Sequence, residues 1–433
     1  MTRHLALTNA RLLDPATGLD VCGGLLIEGT KIADFGPALF ADGVPDGAEV
    51  IDLDGLCLAP GLVDLRVAVG EPGEEHKETI LTASRAAAAG GVTALACLPT
   101  GNPPLDNVSG VEFIARRARD VKLVKVFVQA AITRGLDGHE LTEMGLLAES
   151  GAVAFTDGLQ AVADAKVMMR ALSYAKTFDL LIIQHPEEPA LAAGGMMNSG
   201  EIATRLGLSG IPRAAELIQI ERDLRLVEAT GGRYHVAHVS TAEAVEVIRQ
   251  AKRRGLPVTC DTAPPYFLLT EIDVGDYRTF AKLSPPLRTD DDRRAIIAGL
   301  ADGAIDAIAS DHLPQDQDSK RVPFAQAASG MVGLETLLPL TLTLVHGGHL
   351  SLMRALELLS SRPAEILRLP LGRLARGAAA DLIAFDPDRP WRIDADAFRS
   401  KSKNSLFERM PVQGRVVMTL VDGRVVFNLD SVD

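Results

Sequence analysis

The stretch APGLVDLRVAVGEPGEEHKETI, Ala59–Ile80, decides how this chain is read. A Pro-Gly pair precedes an apolar run, and a polar loop rich in Gly, Pro and Glu follows it, which predicts a buried strand between two turns. It has the build of the first strand of a parallel barrel, where side chains near the strand's C-terminal end face the site. Residues two apart share one face of a strand. The inward positions where metal-ligating imidazoles would be sought instead carry Arg66 and Ala68. Either this is a catalytic strand reading a different substrate, or the scaffold has lost its catalyst.

Outward from that strand the pattern alternates. TILTASRAAAAGG, Ala-rich and helical, leads to the apolar VTALACLP; GVEFIARRARD leads to VKLVKVFVQAAI, and DAKVMMRALSYAKTFD to LLIIQHPEE. TAEAVEVIRQAKRRG precedes LPVTCDT, and DDRRAIIAGLADGA precedes IDAIASDH. Helices alternating with short apolar strands imply parallel βαβ units, and about eight of them fit a (β/α)8 TIM barrel. Both chain ends read differently. HLALTNARLLD, GGLLIEGTKIADFG and QGRVVMTLVDGRVVF are β-rich runs punctuated by turns, which predicts one small composite β-sandwich assembled from the two termini. The expected division is 1–59 for the first part of the sandwich, 60–369 for the barrel and 370–433 for the second part.

The balance of 47% hydrophobic and 23% charged residues is that of a packed protein. A formal charge of −13 argues against general affinity for nucleic acid or anionic membrane. No apolar run approaches the ~20 residues of a membrane span. The N-terminus lacks a signal-peptide core, so the expected location is the cytoplasm. The scattered Cys22, Cys57, Cys97 and Cys260 read as buried free thiols.

Polar side chains cluster at the predicted strand ends: Asp157 after AVAF, His185 after LLIIQ, His238 in YHVAHVST, and Asp311 with His312 after IDAIAS. Singly, each reads as an ordinary loop hydrogen-bonder; together they form a set of imidazoles and carboxylates of the kind that binds zinc. His235 stands three residues before His238, so on a regular strand the two face opposite ways.

At this point the chain resembles the dihydroorotase family of the cyclic amidohydrolases. The resemblance rests on the opening stretch with SRAAAAGGVTALACLPTGNPPLDN, AFTDG, HVST, KLSPPLR, SDHLP, SGMVGLET, RPAEIL, AADLIAFDP and SKSKNS, in the family's order. It implies a barrel with zinc at its mouth and reversible ring closure of carbamoyl aspartate in pyrimidine synthesis. In the family's Asp-x-His-x-His strand this chain keeps Asp64 but has Arg66 and Ala68. Gly70 stands where the family has a substrate-carboxylate arginine, Thr100 and Ser284 where it has substrate-contacting asparagines. Pro265 and Tyr266 replace a His-His pair, and Gln315 ends the Asp-His-x-Pro-His motif. By resemblance, Asp157, His185 and His238 are the residual metal ligands and Asp311 a vestigial general base.

A guanidinium has no lone pair to offer a metal and does not deprotonate in proteins. Arg66 turned inwards is therefore expected to act as a counter-charge for the carboxylates. Two readings follow. In the first no cofactor is bound and the chain resembles the non-catalytic dihydroorotase-like subunit of bacterial aspartate carbamoyltransferase, with that enzyme as partner and a homodimer as the isolated form. In the second it is an active cyclic amidohydrolase, with zinc on the residual Asp157, His185 and His238.

Overall fold

The computed structural model describes residues 4–430. Eight parallel strands form the barrel: Leu62–Val67, Val92–Cys97, Lys125–Ala130, Ala152–Phe155, Leu181–Gln184, Arg233–Val236, Val258–Thr262 and Ala307–Ile308. Each pairs with its neighbour in chain order. The ring is brought near closure by a parallel bridge between Val67 and His312, with Ala68 N–H donating to His312 O at 2.8 Å. VTALAC is buried at every position, as expected for a strand covered on both faces.

The helices follow from their caps and stripes. Ile80–Ala89 starts at Thr79, whose side chain and that of Thr82 satisfy each other's backbone amides, and stops at Gly90. Ala242–Arg253 is capped by Thr241 and buries Ala244, Val245, Ile248 and Ala251 on one face. These faces pack with Leu95, Phe155, Ile182 and Tyr234 into the core around the barrel.

A second eight-stranded sheet draws on both chain ends. Its order is Arg424–Asn428, Pro411–Val421, Leu382–Arg392, Cys57–Pro60, His4–Asp14, Leu19–Glu28 and Lys31–Gly36, with Glu49–Asp52 added beside His4–Asp14. The ends meet where Leu382 pairs with Pro60 and Phe385 with Cys57. Cys57, Cys97 and Cys260 are buried free thiols, but Cys22 is exposed. It lies on Leu19–Glu28, where alternate residues are solvent-facing, so its short apolar neighbourhood misled the reading. No helix among the described residues is long and apolar enough to cross a membrane.

A lysine shared by two carboxylates helps tie the sheet to the barrel. Lys125, on the third barrel strand, places Nζ 2.6 Å from Asp381 and 2.9 Å from Asp422. Burial pushes the Asp381 carboxyl up and Lys125 opposes that shift. Lys125→Met would strand a buried carboxylate. Because Lys125 is 25% exposed, the expected cost is about 2–3 kcal/mol, below that of a fully buried pair. A denaturation midpoint equal to wild type would show that Lys125 does not join the two units.

Candidate active site at the barrel mouth

Arg66 is 2% exposed and points into the barrel mouth. Its Nε donates to Asp311 Oδ1 at 3.2 Å and its Nη2 to Gly158 O at 3.1 Å, while Nη1 has no partner. Asp311 also lies 3.0 Å from His238 Nε2, and His238 Nδ1 lies 2.9 Å from Asp261 Oδ1. These two imidazole contacts are ion pairs in distance, without hydrogen-bond alignment. On its other oxygen Asp261 meets His235 Nε2 at 3.2 Å. The result is a buried chain of alternating charge, Arg66–Asp311–His238–Asp261.

Its electrostatics are mutually reinforcing. Burial works against the His238 cation, but the charges of Asp311 and Asp261 outweigh it and raise the imidazole to about 9. Burial likewise opposes the Asp311 anion, yet His238 and Arg66 hold its carboxyl at about 2. Asp261 is equally buried, and His238 and His235 keep it well below the usual carboxylate range. Asp311 and His238 also adopt left-handed backbone, with φ of 48° and 58°, an uncommon state for residues other than glycine.

The other strand-end residues are engaged elsewhere. Asp157 Oδ1 accepts from Ile132 N and Thr133 N at 2.9 Å each, and Oδ2 accepts from the Thr133 hydroxyl. Burial pushes its carboxyl up to about 6. Arg66 makes no hydrogen bond to Asp157. His185 Nε2 lies 3.0 Å from Ser284 Oγ, which donates to Glu187 Oε2 at 3.1 Å, and His185 Nδ1 has no partner. His312 accepts from Gly333 N through Nδ1 and faces Glu78 Oε2 through Nε2 at 3.4 Å.

The family implies zinc here, and these residues do not fit it. A zinc ligand must offer a free lone pair. Asp157 Oδ1 already accepts two bonds and its Oδ2 one, His238 lies between two carboxylates that favour its protonated form, and Arg66 brings a fixed cation to Asp311. Among the described residues, no group of three or more His, Cys, Asp or Glu is placed to hold an ion. Asp157, His185 and His238, grouped as residual ligands from the sequence, are therefore not assembled into one.

The substrate positions have changed in the same sense. A cavity of about 280 Å³ remains at the mouth, lined by Ala68, Gly70, Thr100, Asp157, Leu313 and Gln315 among others. Gly70 has φ of 68°, and a Cβ there would stand 2.3 Å from Glu78 O and 2.9 Å from Glu74 O. No arginine fits without moving that loop. Ser284 is turned to His185 and Glu187, and Tyr266 donates to Pro285 O at 2.8 Å. Gln315 donates to Ser329 O at 2.9 Å, with its own carbonyl oxygen unpartnered.

Sequence reasoning missed Asp261, because LPVTCDT reads simply as a buried strand. The signal available was a carboxylate at that strand's end, which is where a parallel barrel gathers its site. It also set His235 aside. The strand ends at Val236 and His238 has positive φ, so strand alternation no longer relates the two histidines and both meet Asp261.

Residues 55–244 match the profile of the dihydro-orotase-like family, and residues 331–427 that of the amidohydrolase family. A dihydroorotase of Anaplasma phagocytophilum is 47% identical over 432 residues, covering 98% of this chain and 96% of that protein. A dihydroorotase of Syntrophotalea carbinolica is 47% identical over 427 residues, covering 99% and 100%. Among solved structures, the L-hydantoinase (dihydropyrimidinase) of Arthrobacter aurescens superposes with a TM-score of 0.88 at 27% identity, covering 100% of this chain and 97% of that one. The dihydropyrimidinase of Brevibacillus agri, at 23% identity and a TM-score of 0.85 over 98% and 95%, shows the shared fold.

Arg66→Met would leave Asp311 with His238 as its one remaining ion-pair partner among the described residues. Removing one partner of a buried pair costs roughly 3–5 kcal/mol, and Arg66→Lys should recover part of it. Chemical denaturation reads this directly. Wild-type stability in Arg66→Met would rule out a structural role for the guanidinium.

Proposed function

This chain belongs to the dihydroorotase-like family of amidohydrolases, and from that premise we propose that it serves pyrimidine biosynthesis without catalysing ring closure itself. In this reading it is a non-catalytic, cytoplasmic subunit that holds aspartate carbamoyltransferase in its assembly, and the isolated chain is a homodimer. The observation that carries the reading is the Arg66–Asp311 pair, a fixed cation on the residue the family uses as base. The support is indirect for the partner: a sound fold retained around a mouth with no fitting metal donors needs another use, and binding is the simplest.

A second reading is favoured by the names of the relatives. Proteins 43–47% identical over nearly the whole chain are named dihydroorotase, and on that ground an active cyclic amidohydrolase is the better-supported alternative. It requires Arg66 to swing away from Asp311 and His238 to give up its proton and turn a nitrogen from its present carboxylate partners.

Two measurements separate the readings. The first reading expects no dihydroorotate hydrolysis by the purified chain, with or without added zinc, and co-elution with the co-expressed carbamoyltransferase of the same organism. Zinc-dependent turnover lost on chelation would establish the second instead. The double variant Arg66→His/Ala68→His should remain inactive. Gly70, Thr100 and Ser284 leave the substrate's carboxylate and ring unheld, and lost positioning removes rate as well as affinity. Turnover by that variant would show that the metal ligands alone were missing.

A further inference from the structure

Beside the mouth, the loop after the last barrel strand, residues 315–321, and the SKSKNS segment enclose another cavity, of about 410 Å³. Its walls are pinned to each other. Gln315 N donates to Asn404 Oδ1 at 3.1 Å, and Asn404 Nδ2 donates to Leu313 O at 3.2 Å and Gly330 O at 3.1 Å. The space is thus preformed, with a volume in the range of small-molecule sites, roughly 300–1,000 Å³.

Its chemistry comes from a buried amine. Lys320 is 2% exposed, and its Nζ donates to Thr279 O at 3.1 Å and Ala328 O at 2.7 Å. No carboxylate stands within ion-pair distance of it among the described residues. An ammonium has three N–H donors, so two carbonyls leave one over. Lys282 is held alike, by Phe324 O at 3.0 Å and Ala325 O at 2.9 Å. Burial, and then the charge of Lys282, pull the Lys320 ammonium down to about 7.

The rest of the lining adds to that charge. Arg321 is exposed and makes no ion pair among the described residues. Lys401 and Lys403 also line the cavity, tied to the carbonyls of Glu75 and Phe398. Two of the acids there are committed: Asp316 accepts from Ser319 N and Ser319 Oγ at 2.9 Å each, and Glu408 from Ala395 N at 2.7 Å. Asp396 is exposed. Gln315, 9% exposed, lines the cavity as well, and its Oε1 has no hydrogen-bond partner.

We propose that this cavity binds a small organic dianion, a phosphate monoester or a dicarboxylate, whose charge lies against Lys320 and Arg321 and whose hydroxyl or amide hydrogen meets Gln315 Oε1. Burying a charge is costly unless it is paired, so an anion placed here removes a cost that the fold otherwise carries. The attraction is one of contact, whereas the overall charge of −13 is spread over the surface and screened beyond about 8 Å. A bound anion favours the charged amine, so binding takes up a proton. Affinity is therefore greatest below the Lys320 value of about 7 and weakens as pH rises above it. The inference holds under either reading of the mouth.

Isothermal titration of the full chain tests this. Sulfate is the probe for pH, since it stays a dianion throughout the neutral range. It should fill one saturable site, with affinity falling towards tenfold per pH unit above about 7. Glycerol 3-phosphate and malate each carry a hydroxyl beside their charges. At least one should bind more tightly than sulfate, and the tighter of the two identifies phosphate or carboxylate as the source. Arg321→Ala, at an exposed side chain, should weaken binding about tenfold. Lys320→Met should abolish it, and Arg321→Ala keeps the test decisive where Lys320→Met does not fold. His76→Gln takes away the imidazole at the cavity and should keep the pH dependence. Lys77→Met, which alters the mouth cavity, should change nothing. No saturable site, equal competition by chloride, neither organic dianion exceeding sulfate, or an unaffected Arg321→Ala would each overturn the proposal. So would affinity independent of pH, a pH dependence lost in His76→Gln, or binding lost in Lys77→Met, the last by assigning the anion to the mouth.

Discussion

The barrel mouth depends on neutralising two buried carboxylates, Asp311 and Asp261, and the chain does so with its own side chains. Arg66 and the His238 imidazolium supply two positive charges against two negative ones, arranged so that each cation touches an anion. Burying such charges is costly unless they are paired. The same residues sit where the barrel closes. Asp64 Oδ1 accepts from Arg66 N and from Ser310 N, and Ala68 N reaches His312 O, so the first and last strands are joined across the charge chain. Loss of the pairing would therefore loosen closure as well as expose charge.

Around that centre the residues that depart from the family are used as structure. Ser284 bridges His185 and Glu187, and Gly70 lets the loop after the first strand fold back onto the carbonyls of Glu74 and Glu78. Glu78 carries the tie further: it meets His312, Thr82, Ser400 and the Lys401 amide, anchoring the SKSKNS segment across the mouth. Polar networks of this kind stiffen a fold to the extent that they are satisfied. Here several atoms keep no hydrogen-bond partner, among them Asp64 Oδ2, Arg66 Nη1, His185 Nδ1, Glu187 Oε1 and Gln315 Oε1.

Much of this was legible because it is periodic. Alternating apolar strands and capped amphipathic helices announce parallel βαβ units, and a TIM barrel then fixes which strand ends converge. Arg66 was legible because one guanidinium replaces an imidazole in a short motif. Asp261 was not, since nothing local distinguishes a buried strand-end Asp that binds two histidines from one that caps a turn. His235 was misjudged because alternation holds only while the strand persists, and here it ends before His238. Lys125 joins residues about 250 and 300 positions away, and sequence carries no record of such a pairing. Cys22 shows the same limit at smaller scale: an apolar run of few residues does not say which face is covered.

Similarity over a whole chain and chemistry at one site are different kinds of information. Identity of 47% over 432 residues is a count over the whole chain and does not say which site residues are shared. The fold is thereby shared, and function has to be argued from the site. At the mouth, a handful of residues act together: Arg66 and Ala68 offer no lone pair, Arg66 adds a charge, and the carbonyls of Glu74 and Glu78 leave no room for an arginine at position 70. Their joint effect is to set a fixed cation, Arg66, beside Asp311 at the mouth and to leave positions 68 and 70 with no side chain able to hold a ligand.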